Sequence, residues 1–224
     1  MNTQNTIEFD ALHSFLAGRR STRSFQEREL DRETIDKLVQ TATLIPSGGN
    51  RHAHAFTVIT PGETRERLME VITRVYARRS RLLNNPFLRV AARPFVGPFM
   101  RQFLKDREYG PRIQALVAKL AAREDPVFYR APAAIVIHSS VDIPTPREDC
   151  VIAGFALSLA AESMGLGACF VTLGQNVINA SKQCKAILGL TAKDRVYAVV
   201  VVGYPKEPRA AARTERSAKE PRYV

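Results

Sequence analysis

The sequence has few cysteines, and their spacing excludes several kinds of site. Cys150, Cys169 and Cys184 are the only three in 224 residues. Their number is odd and no C-x-x-C spacing occurs, so they form no disulfide, zinc or iron–sulfur framework. This usage is typical of buried or free thiols in a reducing compartment.

Long apolar runs and targeting signals are also missing. The most apolar stretch, residues 151–174, contains Ser158, Glu162, Ser163 and several glycines, which make it too polar for a transmembrane helix. The first ten residues, MNTQNTIEFD, are polar and acidic, unlike a secretory signal. We therefore expect a cytoplasmic protein without a membrane partner.

Three nucleotide-binding or hydrolase motifs are absent as well. No Walker-type G-x-x-x-x-G-K-[ST] and no G-x-S-x-G occur. A dinucleotide fingerprint starting at Gly165 fails, because its third glycine would fall on Phe170. His52 and His54 lie two residues apart, but no third ligand is near them, so we expect no metal site.

The charge of the chain is strongly one-sided. It carries 33 Lys and Arg against 22 Asp and Glu, a net charge of +11, while its 45% hydrophobic content is ordinary for a soluble domain. Such a balance suits a phosphate-bearing cofactor or an anionic substrate, and equally nucleic acid or a membrane surface. Charge alone does not choose between these partners.

Hydrophobic periodicity predicts a mixture of helices and strands without internal repeats or linkers. Helices are expected at 8–18, 30–45 with Asp31 as the N-cap, 62–83, 112–123 and 147–167, and strands at 55–60, 131–140, 168–172 and 195–205. Residues 84–125 carry several prolines and predict short helical pieces. The helix at 147–167 is apolar almost all round, which predicts burial on every side.

The octet GRRSTRSF, residues 18–25, concentrates three arginines around a serine and a threonine. Arginine presents a rigid fork of donors that matches phosphate oxygens, and a hydroxyl adds a further donor. The phosphate of a flavin mononucleotide would suit this group. A nucleic-acid backbone would suit it too, but no aromatic residues are interleaved with the arginines to stack on bases. A solvated basic surface is the alternative interpretation.

Two glycine-containing segments are candidates for contact with a planar ligand. The loop PSGGN, residues 46–50, offers backbone N–H groups, a hydroxyl and an amide that could match the pyrimidine edge of a flavin. A simple turn that ends a helix is the alternative for this loop. The segment GLG, residues 165–167, predicts a Schellman-type helix end, and its glycines also permit close approach of a ring.

In combination, four segments resemble the nitroreductase family: RRSTRSF, TLIPSGGNRHAHAFTVI, ALSLAAESMGLGACFV and VVVVGYP with a basic tail. The family pattern has an R-R-S-x-R-x-F turn, an A-P-S-x-x-N-x-Q-P loop, a G-L-G helix end, and G-Y-P followed by an arginine. Order and spacing match over nearly the whole chain. The chain further resembles the nitroreductase part of ferredoxin-fused members, and its cysteines indicate that the ferredoxin module is missing.

The resemblance implies an α+β nitroreductase-like fold, with a central, mostly antiparallel sheet flanked by helices. It implies one FMN-binding domain over residues 1–224 and an intertwined homodimer with FMN at the subunit interface. Residues 84–125 would be a helical insertion that covers the substrate side of the flavin.

Site residues follow from the resemblance by position. The phosphate and the polar ring edge would be held by Arg19, Arg20, Ser21 and Arg23. The partner subunit's loop would supply Pro46, Ser47 and Asn50, and backbone near the reactive N5 would come from Gly165, Leu166 and Gly167. The phosphate clamp would be completed by Arg213 and Arg216. The chain departs from the pattern with His52–Ala53 in place of Gln-Pro and Ile45 in place of Ala. The first departure would alter the hydrogen bonding beside the flavin, and with it the substrate preference, and leave phosphate binding intact.

The implied activity is hydride transfer from NADH or NADPH to FMN N5, followed by reduction of a nitroaromatic, quinone or enone. The flavin would carry the chemistry, so no catalytic acid or base is expected among the side chains. One alternative is a protein of the same fold with other flavin chemistry, such as dehalogenation, dehydrogenation or flavin breakdown. Another is a basic protein that binds nucleic acid or a membrane surface.

Overall fold

Four antiparallel strands form the central sheet of the computed structural model, which describes residues 6–92, 94, 106, 108–207 and 220–224. The strands are β1 (Ala55–Ile59), β2 (Ala133–Ser140), β3 (Gly167–Phe170) and β4 (Asp194–Gly203). Their order across the sheet is β1-β2-β4-β3. The α+β class and the antiparallel sheet predicted from the sequence are confirmed.

The two central strands are apolar on both faces because both faces of the sheet are covered. β2 pairs with β4 from Ala133↔Val202 to Ser140↔Asp194, with a register shift after Ile137. Nearly every residue of these two strands up to the shift is fully buried. Helices on both faces of the sheet thus explain the continuous apolar runs of β2 and β4, although these strands are antiparallel.

One face of the sheet is covered by helices α2 (Arg32–Thr43) and α6 (Pro146–Ser163), which also pack on each other. The apolar residues of α2 recur at helical spacing, and Ile35, Leu38 and Ala42 are buried. The Asp31 carboxylate accepts a hydrogen bond from the Thr34 N–H at 2.6 Å, which confirms the predicted N-cap and lowers the pKa of Asp31.

The other face carries α3 (Glu63–Asn84), α5 (Tyr109–Ala121) and α7 (Thr172–Ala180). The short helices α4 (Pro86–Ala91) and α8 (Lys182–Ile187) flank them, and the sequence analysis assigned no structure to α7 or α8. Helix α5 lies in the segment predicted as an insertion and buries Ile113, Leu116 and Leu120 against α3. Within that segment, positions 93, 95–105 and 107 lie outside the described residues.

Two helices leave apolar surface uncovered in the single chain. α6 exposes Val151, Ile152 and Phe155 by 41%, 43% and 46%, so the prediction that it is buried on every side is wrong within one chain. The first helix, α1 (Phe9–Gly18), has no buried residue at all, and Phe9 is 75% exposed. No helix in the described parts of the chain is both long and apolar enough to cross a bilayer.

His54 is a buried and His138 a partly buried polar residue of the sheet region. His54 is 8% exposed, the His138 side chain is 12% exposed, and the Nδ1 atom of each finds no hydrogen-bond partner among the described residues. Burial lowers the pKa of both imidazoles and outweighs the opposing effect of Asp149 near His54 and Asp194 near His138. Both rings are therefore neutral near pH 7.

We expect the fold to lose stability as the pH falls below about 6.5, where histidines of the unfolded chain take up protons that the buried rings resist. The measurement is the free energy of urea unfolding at a series of pH values. Because carboxylates also contribute at acid pH, the comparison is with His138→Gln, whose amide can keep the hydrogen bond to Thr57. An identical pH dependence in both proteins would contradict a role for His138.

Candidate functional site

The segment of residues 18–25, called the arginine turn below, lies against the edge of the sheet, beside β3. The Thr22 N–H donates to the Ala168 carbonyl oxygen at 3.0 Å, and Ser21 forms a parallel bridge with Ala168. Further along, the Gln26 N–H donates to the Tyr204 carbonyl oxygen at 2.9 Å. Backbone pairing therefore fixes the turn next to the segment that follows α6.

Side-chain and tail contacts hold the same turn from its other end. The Lys206 N–H donates to the Ser24 carbonyl oxygen at 3.1 Å. The Arg28 guanidinium lies 3.8 Å from the centroid of the Tyr204 ring, in cation–π geometry. These contacts join the start of the chain to the end of β4, where the G-Y-P motif lies.

Gly167 permits the close approach of the turn to β3. A Cβ atom at this position would lie 2.4 Å from Thr22 Oγ1 and 2.6 Å from Thr22 Cβ, closer than any real side chain allows. The sequence predicted the hydroxyl of Ser21 or Thr22 as a further donor to an anion, but nothing local shows that Thr22 packs against Gly167, far along the chain. The glycine is thus required by packing of the turn.

The end of α6 has the predicted Schellman geometry. The Leu166 N–H donates to the Ala161 carbonyl oxygen at 2.8 Å, the Gly165 N–H donates to Glu162 at 3.1 Å, and Gly165 has φ +73°. A Cβ atom on Gly165 would meet nothing within 4 Å, whereas Leu166 is buried. The backbone at Gly165 is therefore open to a ligand, beside the arginine turn.

The loop at residues 46–50 is anchored at the opposite end of α6. Gly48–Asn50 form a 3₁₀ turn, and the Gly48 N–H donates to Asp149 Oδ1 at 3.1 Å. A Cβ atom on Gly48 would overlap the Thr145 hydroxyl, so only glycine fits there. Asp149 is an acidic residue in the first turn of α6, and it also holds this loop while only 4% exposed.

Polar contacts within the loop involve His52, the departure from the family pattern. The His52 N–H donates to Ser47 Oγ at 2.9 Å, and His52 Nε2 lies 2.8 Å from Asn50 Oδ1. Both Asn50 and His52 have positive φ angles, of 54° and 45°. Pro46 and Asn50 are exposed and Ser47 is partly buried, so the loop faces outward.

The structure brings the first and third motifs together and keeps the second apart from them. Asp149, which holds the loop, lies in the first turn of α6 and Gly165 just past its end; the sixteen residues between them correspond to a separation of about 24 Å at 1.5 Å per residue. That is well beyond the length of a flavin ring. Arg213 and Arg216 lie outside the described residues.

Two surface cavities are lined by described residues of the single chain, and one of them reaches the arginine turn. One of about 780 Å³ includes Arg23 with the basic residues Lys119, Arg130 and Lys206. The other, of about 970 Å³, lies between α3 and the end of α5. Neither is lined by residues 46–50 or by residues 165–167. In the described residues no three His, Cys, Asp or Glu side chains are grouped as metal ligands would be.

Comparison of the chain with known proteins identifies its family. The sequence pattern of the nitroreductase family matches residues 16–204. A protein of Archaeoglobus fulgidus, whose name gives it provisionally as an NADH dehydrogenase/NAD(P)H nitroreductase, is 22% identical over 191 residues, 85% of this chain and 83% of its own. The chain belongs to the nitroreductase family.

Two solved structures show the same fold. A nitroreductase with bound FMN from Bacteroides fragilis superposes with a TM-score of 0.63 at 18% identity, over 96% of this chain and all of the other. An FMN and NADPH-dependent nitroreductase from Sphigopyxis sp. strain HMH gives 0.62 at 23% identity, over 93% and 94% of the two chains. The nitroreductase-like fold expected from the sequence is confirmed.

The variant Gly167→Ala is expected to destabilise the folded chain by about 1–3 kcal/mol, because the new methyl group forces Thr22 and its turn away from β3. Urea unfolding measures the loss. Hydrogen exchange at the Thr22 amide reports the turn directly, and exchange there should accelerate as the bond to Ala168 weakens.

The matched control is Gly189→Ala. Gly189 also has a positive φ, of 69°, but a Cβ atom there would meet nothing within 4 Å, so only backbone strain of about 1 kcal/mol is expected. Exchange at the Thr22 amide should be unchanged in this control. Equal protection of that amide in both variants would show that Gly167 does not seat the turn.

Proposed function

We propose that the chain is an FMN-dependent oxidoreductase that transfers hydride from NADH or NADPH to a small electron acceptor, such as a nitroaromatic or a quinone. The observation that carries the proposal is the seating of the arginine turn beside the open backbone at Gly165, through the Thr22–Ala168 hydrogen bond. A basic group and the exposed backbone at Gly165 are thereby brought to the same region of the chain. Family membership and the FMN named for related structures agree with it.

The residues present fit this cofactor. Arg19 and Arg20 are half-buried and Ser21 and Arg23 exposed, so each offers donors at the surface of the site. Guanidinium groups suit the phosphate, and positive charge at the polar edge of the ring favours negative charge on it. When bound, FMN supplies the redox chemistry by accepting hydride and passing electrons to the acceptor. The protein's part is to bind, orient and shield.

We further propose that each site is shared between two copies of the chain. The loop at 46–50 is held at one end of α6 and the open backbone at Gly165 at the other, about 24 Å away. Two α6 helices that cross antiparallel at a twofold axis bring the loop of one chain to Gly165 of the other. A single chain offers only half of such a site at each end.

Exposed apolar surface supports this pairing. Val151, Ile152 and Phe155 lie near the middle of α6, where a twofold axis would cross, and each is more than two-fifths exposed. The uncovered residues of α1 lead directly into the arginine turn. Apolar groups in such positions are typical of an interface between subunits.

We propose also that segment 84–125, with α5 anchored in the core, covers the substrate side of the flavin.

The purified protein is expected to be yellow, dimeric and FMN-bound. Anaerobic NADPH or NADH should bleach the flavin absorbance, and a nitroaromatic or quinone should restore it; light scattering gives the mass. Comparing the two reductants and a panel of acceptors defines the substrates. A colourless protein whose affinity for nucleic acid falls steeply with salt would instead identify a phosphate-backbone binder.

The combined variant Arg19→Ala, Ser21→Ala and Arg23→Ala should weaken FMN binding at least about a hundredfold, because several charge-assisted hydrogen bonds are lost together. Flavin fluorescence measures the dissociation constant. The control variant combines Arg32→Ala with Arg67→Ala. It also removes two positive charges, here from exposed ion pairs within helices, and should leave FMN binding unchanged. Full retention of flavin by the triple variant would refute the site assignment.

A further inference from the structure

His52 lies within a loop whose backbone is held in an unusual conformation. Gly49, Asn50 and His52 have φ angles of 64°, 54° and 45°, in the left-handed region. For residues other than glycine this conformation costs about 1–2 kcal/mol and persists where surrounding contacts hold it. The contacts here are hydrogen bonds from the Asn50 N–H to the Ser47 carbonyl oxygen and from the His52 N–H to Ser47 Oγ, both 2.9 Å long.

The imidazole of His52 sets the orientation of the Asn50 amide. Its Nε2 atom is 2.8 Å from Asn50 Oδ1, and a carbonyl oxygen only accepts, so Nε2 carries the proton and donates. The amide oxygen is thereby turned toward His52. The Asn50 NH₂ group points away from the ring and has no hydrogen-bond acceptor among the described residues.

Ser47 is affected in a similar way. Its Oγ accepts the His52 N–H, which leaves the hydroxyl proton to be donated elsewhere. Both polar side chains of the loop thus present donors to the outside. Such a pair matches a ligand edge that carries acceptor atoms, such as carbonyl oxygens.

The ring of His52 is itself supported from behind. Its centroid lies 6.3 Å from that of His54 in an edge-to-face arrangement, and His54 stands at 5.5 Å and nearly perpendicular to Phe56. His54 is buried, and burial lowers its pKa, so it stays uncharged near pH 7 and adds no positive charge beside His52. The uncharged rings of His54 and Phe56 therefore lie behind the His52 ring that orients Asn50.

We propose that His52 is a positioning residue of the cofactor site: it orients the Asn50 amide so that the loop presents hydrogen-bond donors to acceptor atoms of the flavin. The inference rests on the proposed function, since the flavin is the ligand to which the loop is turned. His52 occupies the place of the Gln in the family pattern, and a glutamine amide could donate to Asn50 in the same way.

The test is a double-mutant cycle on the FMN-loaded protein, with His52→Ala, Asn50→Ala and the two combined. Serial dilution with flavin fluorescence as the readout gives the FMN dissociation constant. We expect His52→Ala to weaken binding about fivefold in the wild-type background and to have no effect once Asn50 is alanine. His52→Gln should restore binding to within about twofold of wild type.

The backbone supplies an internal control. His52→Ala keeps the N–H that donates to Ser47, and the side chain is exposed, so the unfolding temperature should be unchanged. Equal weakening by His52→Ala in both backgrounds, no weakening at all, or no restoration by glutamine would each overturn the proposal. Wild-type protein that binds no FMN would instead overturn the proposed function.

Discussion

A short backbone pairing on which the candidate site depends joins Thr22 near the start of the chain to Ala168 in β3. It places three arginines against the glycine-rich end of α6, although these segments are far apart in sequence. The pairing is possible only because Gly167 has no side chain. One close contact between two backbone segments of the chain thus creates the candidate binding surface. The surrounding side chains can then supply charge and hydrogen bonds to a ligand.

Helix α6 is the second constraint, because it fixes where the two halves of a site can be. Its first turn holds the loop through Asp149, and its last turn ends in the open backbone at Gly165. A rigid rod of eighteen residues cannot bring its own ends together. The same helix that separates the halves in one chain can align them between two, and its uncovered apolar middle is where the two chains would meet.

Local signals predicted much of the fold. The spacing of apolar residues predicted α2, and Asp31 was predicted as its N-cap. The glycine pattern predicted how α6 ends. Helices α7 and α8, which are short, were not predicted from the sequence. Nor were the contact of Thr22 with Gly167 and the hydrogen bond between Asp149 and Gly48, two residues that are 101 positions apart. Such contacts depend on tertiary packing, which no window of sequence contains.

The first helix has a consequence for how the protein assembles. A ten-residue helix without a single buried residue is marginal in water by itself. If a neighbouring copy covers Phe9 and its apolar companions, helix formation at the N-terminus is linked by mass action to subunit concentration. Dilution would then unravel α1 before the sheet loosens, and the adjoining arginine turn would lose its upstream support. Cofactor retention would thus vary with how much of the protein a cell contains.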